Sequence, residues 1–299
     1  MRVVTRIMLA LAVAVTVSCD WNGSGEMKEL TAVFDDVFAF VDQAAGSSGG
    51  VISMIVPADT AAAATSVNVV SGVEIPAPLT GVPEQILARK AYTTSYNKDT
   101  RLPNWVAWHL TNERISGTAS RDGKSFEEDN EAEGSRADSW DYYNSGYDRG
   151  HMCPAADNKW DDQAMTESFL YTNICPQLHS LNAGDWEDLE KQCRQWAREY
   201  GDIYVVCGPV LSGASHKTIG KHKVVVPEAF FKVVLCTAGE PKAIGFIYKN
   251  AGGDKAIGDY AVTVDDVERV TRMDFFPSLP DEVENMIEAS YDVSQWRWM

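Results

Sequence analysis

Five β-rich runs, set around one long amphipathic helix, constrain the fold of this chain more than any other feature. Residues 105–110, 203–207, 223–226, 230–236 and 243–248 are dense in Val, Ile, Phe and Trp, side chains that suit a pleated, half-buried surface. Between the first run and the others, Trp186, Leu189, Cys193, Trp196 and Ala197 recur every three or four positions, which predicts a helix over 183–200 with a single apolar stripe. A second helix is expected to begin near Thr263, where Asp266 completes an acidic variant of the capping box. Strands and helices do not alternate strictly. The expected class is therefore α+β, a mixed and mainly antiparallel β-sheet with helices packed on it, and not a doubly wound parallel sheet. At 299 residues and 45% hydrophobic content the chain can bury one sizeable core, to which Trp105, Trp108, Trp186 and Trp196 are assigned.

The first residues read as a targeting segment. Arg2 and Arg6 form a basic start, residues 7–17 are an apolar run too short for a comfortable membrane span, and Val17-Ser18-Cys19 follows at once. This pattern resembles a bacterial lipoprotein signal, residues 1–19, with cleavage before a lipidated Cys19; a plain secretory signal is the alternative. Both readings export the protein, and the first leaves it lipid-anchored in the cell envelope, on the periplasmic or the outer-surface face. Residues 20–82, rich in Ala, Gly, Ser and Val, read as a tether or small module with a helix over 28–40 and a strand over 51–56. The remaining segment, 83–299, contains the strand and helix runs and reads as the main folded domain.

The formal net charge of -17 excludes a surface that holds nucleic acid through a broad basic patch. Net charge constrains a local site less than it constrains long-range steering, and a bound divalent cation can supply a positive field where Lys and Arg are scarce. After Cys19, five cysteines remain, Cys153, Cys175, Cys193, Cys207 and Cys236. In an oxidising compartment an odd number allows one or two disulfides and leaves at least one thiol over.

Reactive residue types crowd together between Tyr147 and Asp157. Asp148, Arg149 and His151 surround Gly150, whose backbone freedom would let His151 turn out of a strand end towards a cleft. Histidine suits a general base because it titrates near physiological pH; His109 and His179, without such company, are read as structural. Asn173 follows within Asn-Ile-Cys-Pro-Gln, then Asn182 within Leu-Asn-Ala-Gly-Asp-Trp, then Glu190 and Arg194. Glu190 and Arg194 lie one helical turn apart, and Asn182 falls near the start of the same stripe. An amide oxygen and a carboxylate, completed by water, are the ligands that Mg²⁺ prefers.

In this order, Asp148-Arg149-Gly150-His151, Asn173, Asn182, Glu190 and Arg194 resemble the DNA/RNA non-specific endonuclease family, whose members carry a ββα-metal, or His-Me finger, site. The resemblance implies an endonuclease that hydrolyses DNA and RNA phosphodiesters with little sequence preference and leaves 5′-phosphate ends. It implies His151 as the base that activates water, Asn182 as the direct ligand of a hydrated Mg²⁺ (Mn²⁺ or another divalent cation being the alternatives), and Glu190 as the holder of a metal-bound water. Asn173 would orient the site around His151, Arg149 and Arg194 would contact phosphate, and Arg121 resembles a further phosphate-contacting residue. Asp148 is read as a buttress of the loop. The expected partners are DNA and RNA, with a homodimer as one open assembly.

Ordinary explanations compete with each motif. Asp148 with Arg149 can be a surface pair, Glu190 with Arg194 a weak helix-stabilising pair, and Asn182 a simple N-cap. His151, Cys153, Cys175 and Cys193 invite a zinc reading but lack the close paired spacing of structural sites. Two further alternatives are a non-catalytic cell-surface protein that binds nucleic acid or glycan on a nuclease scaffold, and a phosphodiesterase for small nucleotides.

Overall fold

The computed structural model describes residues 71–213, 215–253 and 255–299. The helix expected over 28–40 and the strand over 51–56 lie outside these residues, as does the targeting segment. The described strands are β1 (Gln85–Ala88), β2 (Thr93–Asn97), β3 (Leu102–Thr111), β4 (Asp148–His151), β5 (Ile174–Gln177), β6 (Asp202–Val210), β7 (Thr218–Ile219), β8 (Val224–Val225), β9 (Ala229–Cys236), β10 (Lys242–Lys249) and β11 (Ala261–Val262). The described helices are α1 (Asn112–Ile115), α2 (Ser139–Tyr142), α3 (Asp162–Glu167), α4 (Trp186–Tyr200), α5 (Val264–Thr271) and α6 (Asp281–Glu288).

Seven strands form one sheet in the order β1-β2-β3-β6-β9-β10-β11, and every neighbouring pair is antiparallel. The fold is therefore α+β, as the residue pattern predicts. Four of the five β-rich runs supply β3, β6, β9 and β10. The fifth, 223–226, shrinks to β8 and pairs only with β7 in a separate ribbon. Lys223 sits at φ 59°, off the extended path, and Pro227 has no N–H to donate to a longer ladder. Residues 71–82 run onto the same core: Val73 is fully buried, and the Ala77 amide donates to the Asp274 carbonyl at 2.9 Å.

Helix α4 buries Trp186, Leu189, Cys193, Trp196 and Ala197, the predicted stripe, against this sheet. Full burial of each large apolar side chain contributes about 1.5–3 kcal/mol. The helix starts at Trp186 and not at residue 183, because residues 181–185 form a wider π-type turn in which Gly184 takes the non-helical angles φ -122°, ψ -118°. It ends at Gly201, whose φ of 90° only glycine adopts freely. Helix α5 opens as expected, with Thr263 and Asp266 capping each other's backbone.

All five described cysteines are free and buried, so the disulfides allowed by the sequence do not form among them. Burial pushes the Cys193 and Cys207 thiols up to about 12 and raises Cys153, Cys175 and Cys236 as well, which disfavours the thiolate that zinc requires. The residues that could jointly hold a metal do not include His151, Cys153, Cys175 and Cys193 among the described residues. The zinc reading is set aside accordingly.

Candidate active site

Strands β4 and β5 form a short antiparallel ribbon in the register Asp148↔Gln177, Gly150↔Cys175 and His151↔Ile174. The chain then passes through the π-type turn into α4, which completes a β-β-α unit on one side of the main sheet. Gly150 is needed here for space and not for a special backbone conformation. It is absent from the positive-φ glycines, and a Cβ at this position would lie 2.1 Å from Gln177 Oε1 and 2.7 Å from Gln177 Cβ. Gly150→Ala is expected to force the ribbon apart and cost about 1–3 kcal/mol by overpacking, which a denaturant titration against wild type would read directly.

His151 ends β4, and its carbonyl accepts from Trp186 Nε1 at 3.3 Å, tying the strand end to α4. Its ring packs against Phe126 at 5.3 Å and meets Phe169 edge-on at 5.1 Å between centroids. Nε2 is enclosed and has no hydrogen-bond partner, which leaves Nδ1 as the ring nitrogen able to meet the cleft. Burial, with the Arg121 charge second, lowers the imidazole pKa to about 3, so the ring is neutral at physiological pH. The same two phenylalanines carry guanidinium groups, Arg149 over Phe126 at 5.0 Å and Arg121 over Phe169 at 5.8 Å.

Asn173 is fully buried and does not reach the cleft. Its Oδ1 accepts from the Cys153 amide at 2.8 Å, and its Nδ2 donates to the Cys153 and Ser168 carbonyls at 2.9 and 2.8 Å. It therefore acts on His151 only by fixing the backbone that leaves β4.

The opposite wall comes from the π-type turn and α4. Asn182 Nδ2 donates to Asp148 Oδ2 at 3.0 Å, and the same carboxylate oxygen meets His179 Nδ1 at 2.8 Å. Asp148 thus does more than buttress a loop: by engaging the amide NH₂ it leaves Asn182 Oδ1 as the free acceptor. Glu190 is half-buried on the same wall. Burial raises its carboxyl to about 7, against the pull of Lys232 and then Arg194. Arg194 does not pair with Glu190 as its spacing on the helix suggested; its ion pair runs to Asp157 Oδ1 at 3.0 Å, and Asp157 Oδ2 also accepts from Trp108 Nε1 at 3.2 Å.

These walls enclose one cleft of about 540 Å³. Arg121, Arg149, His151, Asn182, Glu190 and Arg194 all line it, with Asp148 and Glu187 beside them. Three guanidinium groups are concentrated here although the chain as a whole is acidic. On the α4 side the donors are an oriented amide oxygen and carboxylates, a set that fits a hard divalent cation and would not suit a thiophilic one.

Residues 71–282 match the family described as DNA/RNA non-specific endonuclease. This chain belongs to that family. Among its relatives, mitochondrial nuclease EXOG is 38% identical over 218 residues in Danio rerio, covering 67% of this chain and 64% of that protein. In Xenopus laevis it is 36% identical, covering 68% and 60%. Mitochondrial endonuclease G of Homo sapiens is 34% identical, covering 65% and 70%. The crystal structure of the EndoG/EndoGI complex contains a similar fold, with TM-score 0.63 and 28% identity, over 67% of this chain and 89% of that one. This chain thus spans less than two thirds of the length of the first two relatives. Endonucleases of this family depend on a divalent metal, in keeping with the donor set on the α4 wall. The relatives correct one expectation: they are mitochondrial nucleases, not lipid-anchored proteins of a bacterial envelope.

Some site residues escaped sequence reasoning. Asp157 lay inside the reactive cluster but offered no spacing rule that linked it to Arg194. Phe126 and Phe169 carry His151 and two arginines through contacts invisible to periodicity. Lys232 is 1% exposed, with its ammonium 4.3 Å from the Trp186 ring and 5.4 Å from Trp108. A lone lysine inside Phe230-Phe231-Lys232-Val233-Val234-Leu235, buried on both faces, was the available signal.

Proposed function

We propose that this chain is a Mg²⁺-dependent endonuclease, its catalytic unit within 83–299, that hydrolyses phosphodiester bonds of DNA and RNA with little sequence preference. The observation that carries this reading is a single cleft in which the neutral His151 imidazole faces Asn182 and Glu190, with arginines at hand for a phosphate. His151 takes a proton from the water that attacks phosphorus, so that a new P–O bond forms as the P–O3′ bond breaks. Arg149 and Arg194, with Arg121 at the rim, hold the phosphate oxygens as charge builds on them. Asn182 would hold the Mg²⁺ directly and Glu190 one of its waters. When bound there, the ion supplies Lewis-acid stabilisation of the phosphate and of the leaving O3′. The products are 5′-phosphate and 3′-hydroxyl ends. Contacts limited to phosphate and sugar carry no base information, which accounts for the lack of sequence preference.

The test is cleavage of plasmid DNA and of RNA with Mg²⁺, with Mn²⁺ and with chelator. Asn182→Ala is expected to lose at least about 100-fold in rate at fixed metal, given the several kcal/mol that a metal ion contributes to stabilising the transition state. Wild-type protein that leaves both polymers intact with Mg²⁺, or an Asn182→Ala protein that cuts at the wild-type rate, overturns the reading. Retained nucleic-acid binding in chelator with no turnover under any metal would instead favour a binding protein.

A further inference from the structure

Away from the cleft, α5 and α6 bring three carboxylates together. Asp265 and Glu268 stand one turn apart on α5, Glu288 closes α6, and one oxygen from each lies within 4.8 Å of the other two. Glu288 is the member that points to a ligand. It is 5% exposed, and its Oε1 is enclosed and accepts no hydrogen bond. A buried carboxylate oxygen left without a partner is costly. Its place makes matters worse, since the C-terminal end of a helix carries partial negative charge and the last turn of α6 has no basic residue to offset it.

Burial pushes the Glu288 carboxyl up to about 9, and the charges that add to this are all acidic: Glu268, Glu284, Asp265 and Asp274. Burial likewise raises Glu268 to about 7, although the Phe275 amide donates to it at 2.8 Å. The nearby Arg269 is already engaged by Asp266. Among the described residues, no cation counts with the charges that act most strongly on Glu288, while the exposed Asp265 leaves a way in from solvent.

We propose that Asp265, Glu268 and Glu288 form a second divalent-cation site, structural in role, that takes Ca²⁺ and ties α5 to α6. Ca²⁺ accepts several oxygen ligands in flexible geometry at about 2.3–2.6 Å, so one ion can reach oxygens spaced as these are, with water filling the other positions. None of the three residues lines the catalytic cleft, and Glu288 lies beyond the part of the chain that matches the family.

The experiment is thermal unfolding of the full chain, stripped of metal at pH 8 and titrated with Ca²⁺, for wild type, Asn182→Ala, Glu288→Gln and Asp265→Asn. At Ca²⁺ about 100 times its Kd, wild type and Asn182→Ala should both gain roughly 5–10 °C in Tm. Glu288→Gln and Asp265→Asn should fold, start no lower than stripped wild type, and gain little. Three results would overturn the site: no gain in wild type, an equal gain in both cluster variants, or a gain abolished by Asn182→Ala, which would place the ion in the cleft. The readout is independent of nuclease activity, so this proposal and the proposed function can fail separately.

Discussion

His151→Ala should lower kcat by about 10²–10⁴-fold at saturating Mg²⁺ and substrate, the range that a positioned general base contributes. Substrate binding should change little, because the arginines proposed to hold phosphate are supported by other residues, Arg149 over Phe126, Arg121 over Phe169 and Arg194 by Asp157. The pH dependence follows from the two perturbed groups. His151 is neutral down to about pH 3, held there by burial and then by Arg121, so it adds no acid limb to kcat/KM in the physiological range. Glu190, raised to about 7 by burial, must lose its proton to take the proposed role of holding a metal-bound water. At limiting metal, kcat/KM should therefore fall as pH drops below about 7. Raising the metal concentration should move that limb to lower pH, since a cation favours the carboxylate. Glu190→Gln should remove the limb. A limb that survives in Glu190→Gln and responds instead to substitution of Arg121 would assign the titration to His151 and contradict this account.

Asp157→Ala should be the most destabilising single change near the site. Asp157 is 1% exposed, and its carboxylate receives both Arg194 and Trp108. Burial raises the Asp157 pKa despite Arg194 and Lys232, whereas Arg194 itself, which burial alone would lower, is raised by Asp157 and Glu190. The pair therefore need not be a large net stabiliser. Removing one partner is a different matter, because it leaves the Arg194 cation buried without its acceptor and takes an opposite charge from the neighbourhood of the buried Lys232, at a cost of about 3–5 kcal/mol. For a domain of this size that corresponds to a Tm lower by roughly 6–20 °C. Calorimetry on wild type, Asp157→Ala and Asp157→Asn would measure it. The asparagine variant keeps an acceptor for Trp108 and should lose less. Equal losses in the two variants would show that volume, and not the buried charge, sets the cost.

Much of the site was legible in the residues because its chemistry is written in short segments. Asp148, Arg149 and His151 share four positions of one strand, and Glu190 and Arg194 share one helix turn, so local order was enough to group them. Roles that pass between segments were not legible. Asp148 orients Asn182 across 34 positions, Asp157 holds Arg194 across 37, and Lys232 on β9 places its ammonium over the Trp186 ring of α4. The spacing of Glu190 and Arg194 even suggested the wrong ion pair, because Arg194 instead meets the fully buried Asp157 carboxylate from outside the helix.

Local pattern by itself determined the α+β class, four long strands, the apolar stripe of α4 and the cap of α5, since each depends on the period and chemistry of consecutive residues. Tertiary structure alone decided that the five described cysteines stay unbonded, that Gly150 is required because Gln177 occupies the space a side chain would need, and that three acids from α5 and α6 converge. Those outcomes depend on which surfaces meet, and chain order does not carry that distance.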